Sequence, residues 1–148
     1  MNKIKIVDLN RSLIQACNEA GLDAEWSDYF YTAANTPNAV LMTASNPMWT
    51  FGGGIDAKFA NIYPDLIEEK QTKGGGMERI ENIVFAITVD ENYHATPEVV
   101  KKAIEFALSA LKENETLLLH GAGTGIGGLS IEDFVEIIKG VSTPHKTN

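Results

Sequence analysis

Cysteine is nearly missing from this chain: Cys17 is the only one in 148 residues. One cysteine excludes a disulfide framework and a thiolate metal cluster. Its helical setting reads as a small core residue rather than a nucleophile. Positive charge is also scarce. Twelve Lys and Arg stand against twenty Asp and Glu, for a net charge of −8. The pairs Lys3 with Lys5 and Lys101 with Lys102 are too sparse for the basic stripe that a nucleic-acid surface needs. No apolar run is long enough to span a membrane, and the signal-peptide pattern is missing. The expectation is therefore a cytoplasmic protein with neither nucleic acid nor membrane as partner. No His, Cys or Glu grouping has metal-ligand spacing, so no metal or other cofactor is expected. There is no internal repeat and no boundary. Residues 1–148 read as a single domain, with 141–148 as a disordered tail, and this length can bury a core without staples.

What is present is organised around Ala39 to Lys58. An apolar run, Ala39-Val40-Leu41-Met42, ends in the polar corner Thr43-Ala44-Ser45-Asn46. A short loop through Trp49 and Phe51 follows, then Gly52-Gly53-Gly54 and Ile55-Asp56 entering a helix. Short apolar runs bounded by turn signals fit the buried strands of a parallel sheet. Ligands of such sheets sit at the carboxyl ends of strands, where helices begin. Glycines there let backbone N–H groups approach closely, and a helix amino end favours an anion. An acidic chain that binds an anion must do so with oriented amides rather than net charge.

In chain order, Lys3 to Val7 reads as a strand. A helix from Arg11 to Ala20 follows, capped by Asn10 and stopped by Gly21, with Leu13, Cys17 and Ala20 on one face. Ala24 to Trp26 is a second strand, and Thr32 to Asn38 is a connection or a short helical turn. Ala39 to Thr43 is the third strand. Ile55, Phe59 and Ile62 then fall at helical spacing. Pro64 breaks that helix or starts another through Glu69. Gln71 to Met77, with three glycines, reads as a mobile surface loop unrelated to any site. Asn82 to Val89 is a fourth strand. Thr96-Pro97-Glu98 starts a helix to about Leu111, with Val100, Ala103, Ile104, Ala107, Leu108 and Leu111 inward. Thr116 to Leu119 is the fifth strand. Ser130 caps a last helix to about Lys139, with Asp133 placed as in a capping box and Gly140 as its end. The alternation predicts an α/β fold with a largely parallel sheet.

Between the fifth strand and the last helix lies a second glycine-rich corner, Gly121 to Gly128. Gly123, Gly125 and Gly128 match G-x-G-x-x-G, but a dinucleotide-binding unit needs a further strand ending in an acid, and here the chain has one helix and stops. Neither glycine loop continues into the G-K-[ST] of a Walker loop. If the third and fifth strands are close in the sheet, the two corners face one crevice and form a two-sided amide cradle suited to a diphosphate. The alternative is that the glycines only make tight turns.

These residues resemble a macro domain, the ADP-ribose-binding α/β module. That family ends a strand with Asn-Ala-Ala-Asn and, after four or five residues, continues in its hydrolase branch with Gly-Gly-Gly-Val-Asp. Here the residues are Thr43-Ala44-Ser45-Asn46 and Gly52-Gly53-Gly54-Ile55-Asp56. The family's second loop, Ser/Thr-Gly-Ile-aromatic-Gly, is similar to Thr124-Gly125-Ile126-Gly127-Gly128. Its Gly-Asp-Ile element resembles Ser27-Asp28-Tyr29. The added N-terminal strand and helix look like a phage and bacterial subgroup. The resemblance implies a three-layer α/β/α sandwich with a mixed, largely parallel sheet. Thr43 stands for the first Asn, Gly127 for an aromatic that packs on the distal ribose, and Leu129 where Pro is common, which implies a wider or altered ribose end.

The resemblance also implies roles. Asp28, ending the second strand with Tyr29 beside it, would accept from adenine N6; as a residue type it equally fits a turn or helix cap. Gly53, Gly54, Ile55, Gly123, Thr124, Gly125, Ile126 and Gly127 would line the diphosphate and ribose. Asn46 suits a ribose hydroxyl pair or an Asx cap. Trp49 and Phe51 cover the ligand or anchor the loop in the core. His120 reads as a satisfied structural histidine. Asn46 and Asp56 would be the catalytic pair of a hydrolase acting on an ester-type ADP-ribosyl linkage, with Asp56 kept ionised by the helix amino end. Three readings follow: a module that captures ADP-ribose or ADP-ribosylated protein, in preference to NAD; an ADP-ribosyl hydrolase acting on mono-ADP-ribose or acylated ADP-ribose; and a phage-like regulatory protein whose pocket has drifted to another nucleotide.

Overall fold

The computed structural model describes residues 3–125 and 127–142. Its elements in order are β1 (Lys3–Asp8), α1 (Arg11–Glu19), β2 (Ala24–Trp26), α2 (Tyr29–Ala34), β3 (Ala39–Met42), α3 (Gly54–Ile62), α4 (Pro64–Lys73), β4 (Glu78–Ile80), β5 (Ile83–Phe85), α5 (Pro97–Ser109), β6 (Thr116–Leu119) and α6 (Ile131–Ser142). The strands form one six-stranded sheet in the order β2-β1-β6-β3-β5-β4. Every pairing is parallel except β4 with β5.

Alternation along the central strands sends successive side chains to opposite faces, and each face finds its own helices. Ile6, Val40, Met42, Val84, Leu117 and Leu119 pack with α1, α5 and α6 through Leu13, Cys17, Ile104 and Phe134. Val7, Leu41, Ile83, Phe85 and Leu118 pack on the other side with Tyr29 of α2, Phe59 of α3, Ile67 of α4, and Trp49 and Phe51. The result is the three-layer α/β/α sandwich with a mixed, largely parallel sheet. Caps fall where residue chemistry places them. The side chains of Asn10, Thr96 and Ser130 accept from the backbone of Leu13, Val99 and Asp133.

Several expectations need correction. The sheet has six strands rather than five, because Glu78–Ile80 pairs antiparallel with β5 across a two-residue turn where Glu81 takes a φ of 53°. The Asn82 to Val89 strand shortens to Ile83–Phe85, with one further bridge from Ile87 to Ser45. The short helical turn allowed for the polar stretch is the end of α2, which begins earlier, at Tyr29, and stops at Ala34, and α4 continues past Glu69 to Lys73. Leu108 and Leu111 are only partly buried against the core. The last helix runs through Gly140 to Ser142, so the tail expected from residue 141 begins inside it. Residues 143–148 lie outside the described residues.

Candidate functional site

The strands β6 and β3 are hydrogen-bonded neighbours, with Val40 in register with Leu117. Their carboxyl ends carry the two glycine corners, which therefore open into one crevice of about 640 Å³. The strand order fixes its long axis. Asn10 and Asp28 line the end above β1 and β2, Gly121 to Gly127 lie over β6, and Ala44 to Gly54 lie over β3. Val89 and Tyr93, following β5, line the far end.

The first corner is held by a chain of hydroxyls. Thr43 Oγ1 accepts from Ala86 N (3.0 Å), lies 2.9 Å from Ser45 Oγ, and Ser45 Oγ donates to Asp56 Oδ2 (2.6 Å). A hydroxyl has one proton to give: Thr43 Oγ1 donates to Ala86 O (3.4 Å), and Ser45 Oγ makes its shorter contact as donor to Asp56. Asp56 Oδ1 accepts from Ala44 N at 2.9 Å. Asp56 thus lines the crevice with both carboxylate oxygens already engaged. Burial, its largest influence, pushes its carboxyl above the usual value, and the bonds from Ser45 and Ala44 pull the other way. Desolvation disfavours the charged form, and the two donors favour it. Asn46 is an Asx-type clamp on its own loop, its Oδ1 accepting from Met48 N (3.0 Å) and its Nδ2 donating to Thr50 Oγ1 (2.7 Å). Trp49 and Phe51 are buried anchors, 3% and 6% exposed, packed with Phe85. Gly53 is the N-cap of α3 without a side-chain cap, and Gly54 takes a φ of 58° that favours glycine.

The second corner folds on itself. Gly121 N donates to Asp8 Oδ2 (2.8 Å), Thr124 donates to Gly121 O through both N and Oγ1, and Leu129 N donates to Gly123 O. The amides of Gly53, Gly54, Ile55, Gly123 and Gly125 have no protein acceptor among the described residues. A Cβ on Gly125 would meet nothing within 4 Å. Ile126 lies outside the described residues. Gly127 is glycine for a packing reason: a Cβ there would sit 2.7 Å from Ala95 Cβ and 2.8 Å from Gly123 O. The 90–95 loop occupies that space and is tied to it by Ala95 N donating to Gly127 O.

The other expected site residues divide. Asp28 does not end β2, which stops at Trp26. It caps α2 by accepting from Tyr31 N at 2.8 Å, and it also lines the crevice. Tyr29 turns its hydroxyl inward, donating to Leu118 O (2.6 Å) and accepting from Met42 N (3.0 Å). Burial pushes its phenol up, and Tyr29 is among the residues that line the crevice. His120 is buried, its Nε2 2.8 Å from Met42 O, and burial pushes its pKa down, which favours the neutral ring. Asp8, Lys58 and Tyr93 also line the crevice and were missed. Asp8 ends β1 and Tyr93 lies in the loop after β5, so the strand-end rule that located the glycine corners applies to them too.

No protein-family model matches the chain, and no curated protein sequence does. Among solved structures, the macrodomain of Mycobacterium tuberculosis DarG matches over 95% of this chain and 93% of its own, with a TM-score of 0.61 at 16% identity. The chain has the fold of that macrodomain.

Proposed function

We propose that the crevice binds ADP-ribose or a closely related ADP-ribosyl derivative, free or attached to a protein, and that the domain acts as a binding module. One observation carries this reading: two sets of unsatisfied amides, at Gly53 to Ile55 and at Gly123 and Gly125, converge on one crevice at adjacent strand ends. A diphosphate between them is bound by oriented dipoles in a protein of net charge −8. The macrodomain fold supports the same reading. The adenine lies at the Asp28 end, where the carboxylate oxygen not used by Tyr31 N accepts from N6. The distal ribose lies towards Asn46, Gly127 and Tyr93. Hydrolysis through Asp56 is the weaker reading, because Ala44 N and Ser45 Oγ already occupy its oxygens.

The test is calorimetry of ADP-ribose, ADP, AMP and NAD against the wild type and Gly125→Glu. ADP-ribose binds the wild type most tightly. Gly125→Glu stays folded and loses at least about tenfold in affinity, or about 1.4 kcal/mol, since its carboxylate stands where the phosphates go. A silent wild type, or an unaffected variant, overturns the reading. Turnover of acylated ADP-ribose that disappears in Asp56→Asn would restore the hydrolase.

A further inference from the structure

The first ligand loop is bent against its own preference. Trp49 and Phe51 take φ values of 55° and 50°, a left-handed region that a residue with a Cβ disfavours. Asn46 holds the loop from inside. From outside it is held by a segment that contributes nothing to the crevice wall, the end of α4 and the glycine turn after it. Trp49 Nε1 donates to Gly75 O at 2.8 Å. Gln71 Nε2 donates to Trp49 O at 3.1 Å. The Lys70 ammonium lies 4.5 Å from the centre of the Trp49 ring.

Lys70 is fully buried, and its three N–H groups are all used: on Gly74 O (2.9 Å), Gly76 O (2.6 Å) and Glu78 Oε1 (2.7 Å). Two of those acceptors bracket Gly75. The buried cation therefore sets the shape of the turn, with Gly74 and Gly75 at φ values of 63° and 84°. The turn presents one carbonyl to the indole. The turn lies at the surface, as expected, and touches the first glycine corner's loop through that carbonyl.

We propose that Lys70, Gln71 and Gly75 are positioning residues for the ligand loop, acting through Trp49 on the amides of Gly53 and Gly54. Trp49 is four residues from Gly53, so a change in its seat is passed along a short, strained backbone to the anion-facing amides. Misplacement of such groups by about 1 Å is enough to cost a large factor in a positioned interaction. The ligand half of this inference rests on the function proposed above; the loop half does not.

The experiment uses the full chain with Trp49→Phe, which removes the indole N–H and keeps a ring, and Gln71→Ala. Ile104→Val, in the core between α5 and the sheet, is the control for lost stability. Amide resonances of Gly52, Gly53 and Gly54 are followed without ligand, alongside melting temperature and ADP-ribose affinity. Both test variants displace the Gly53 and Gly54 resonances and weaken ADP-ribose about five- to tenfold, while Ile104→Val lowers the melting point and leaves affinity and those resonances unchanged. If the wild type binds and both test variants bind equally well, the proposal is overturned. If the wild type does not bind ADP-ribose, the resonances decide: their displacement sustains the positioning role while the ligand reading falls, and unmoved resonances overturn both.

Discussion

Ser45 Oγ and Asp56 Oδ2 lie 2.6 Å apart, and this contact joins the polar corner after β3 to the first turn of α3. It spans eleven residues of sequence and closes the glycine loop like a clasp. With Ala44 N on the other carboxylate oxygen, Asp56 fixes where α3 begins, and so where Gly53 and Gly54 present their N–H groups.

Asp56→Ala leaves Ala44 N and Ser45 Oγ without a buried acceptor and lowers stability by about 1–3 kcal/mol, read by urea unfolding at neutral pH. Asp56→Asn keeps an oxygen for Ala44 N and an N–H₂ for Ser45 Oγ, so it loses less. The pH dependence has a defined sign. The folded carboxyl sits above its ordinary 3.8, so its contribution is full below that value and is lost as pH rises through the raised one. Asp56→Asn removes that slope; an unchanged slope would assign it to another group.

Gly127→Ala places a methyl 2.7 Å from Ala95 Cβ and 2.8 Å from the Gly123 carbonyl. The carbonyl is backbone and cannot swing away, so overpacking costs about 1–3 kcal/mol. Gly125→Ala, whose Cβ meets open space, is the matched comparison and melts within a few degrees of wild type. Equal melting points for the two variants would contradict the packing at Gly127.

The Arg79–Glu115 pair fastens β4 to the segment before β6 through two bonds of 2.7 Å. Hydrogen bonds from Arg79 hold the Glu115 carboxyl at about 2, below its ordinary 4.5. The folded value is depressed, so the pair stabilises above pH 4.5 and that support disappears as pH falls through about 2. Glu115→Gln should flatten melting temperature against pH across that window, with the wild-type slope as reference.

The sequence made the central strands and both glycine corners readable, because Val40-Leu41-Met42 and Leu117-Leu118-Leu119 are short apolar runs that stop at glycine or polar turns. That also gave the shared crevice, since it needed only two runs to pair. The edge was not readable. Glu78-Arg79-Ile80 is three residues long and is held by ion pairs to Lys70 and Glu115 rather than by an apolar pattern. Asp28 was expected to end β2 and instead caps α2, because an aspartate before a helix serves as a cap as naturally as a ligand contact. The contact of the glycine turn at 74–76 with Trp49 was not readable, because Trp49 is 26 residues away from Gly75, beyond any local periodicity.

The strand order also ranks the sheet by durability. The outermost strands, β2 and β4, have three residues each and one neighbour each, whereas β6 and β3 are enclosed on both sides. Local opening begins where buried contacts are fewest. The rims therefore loosen first, and the two strands that carry the glycine corners are the last to let go. A molecule whose margins are fluctuating keeps its crevice intact at the centre.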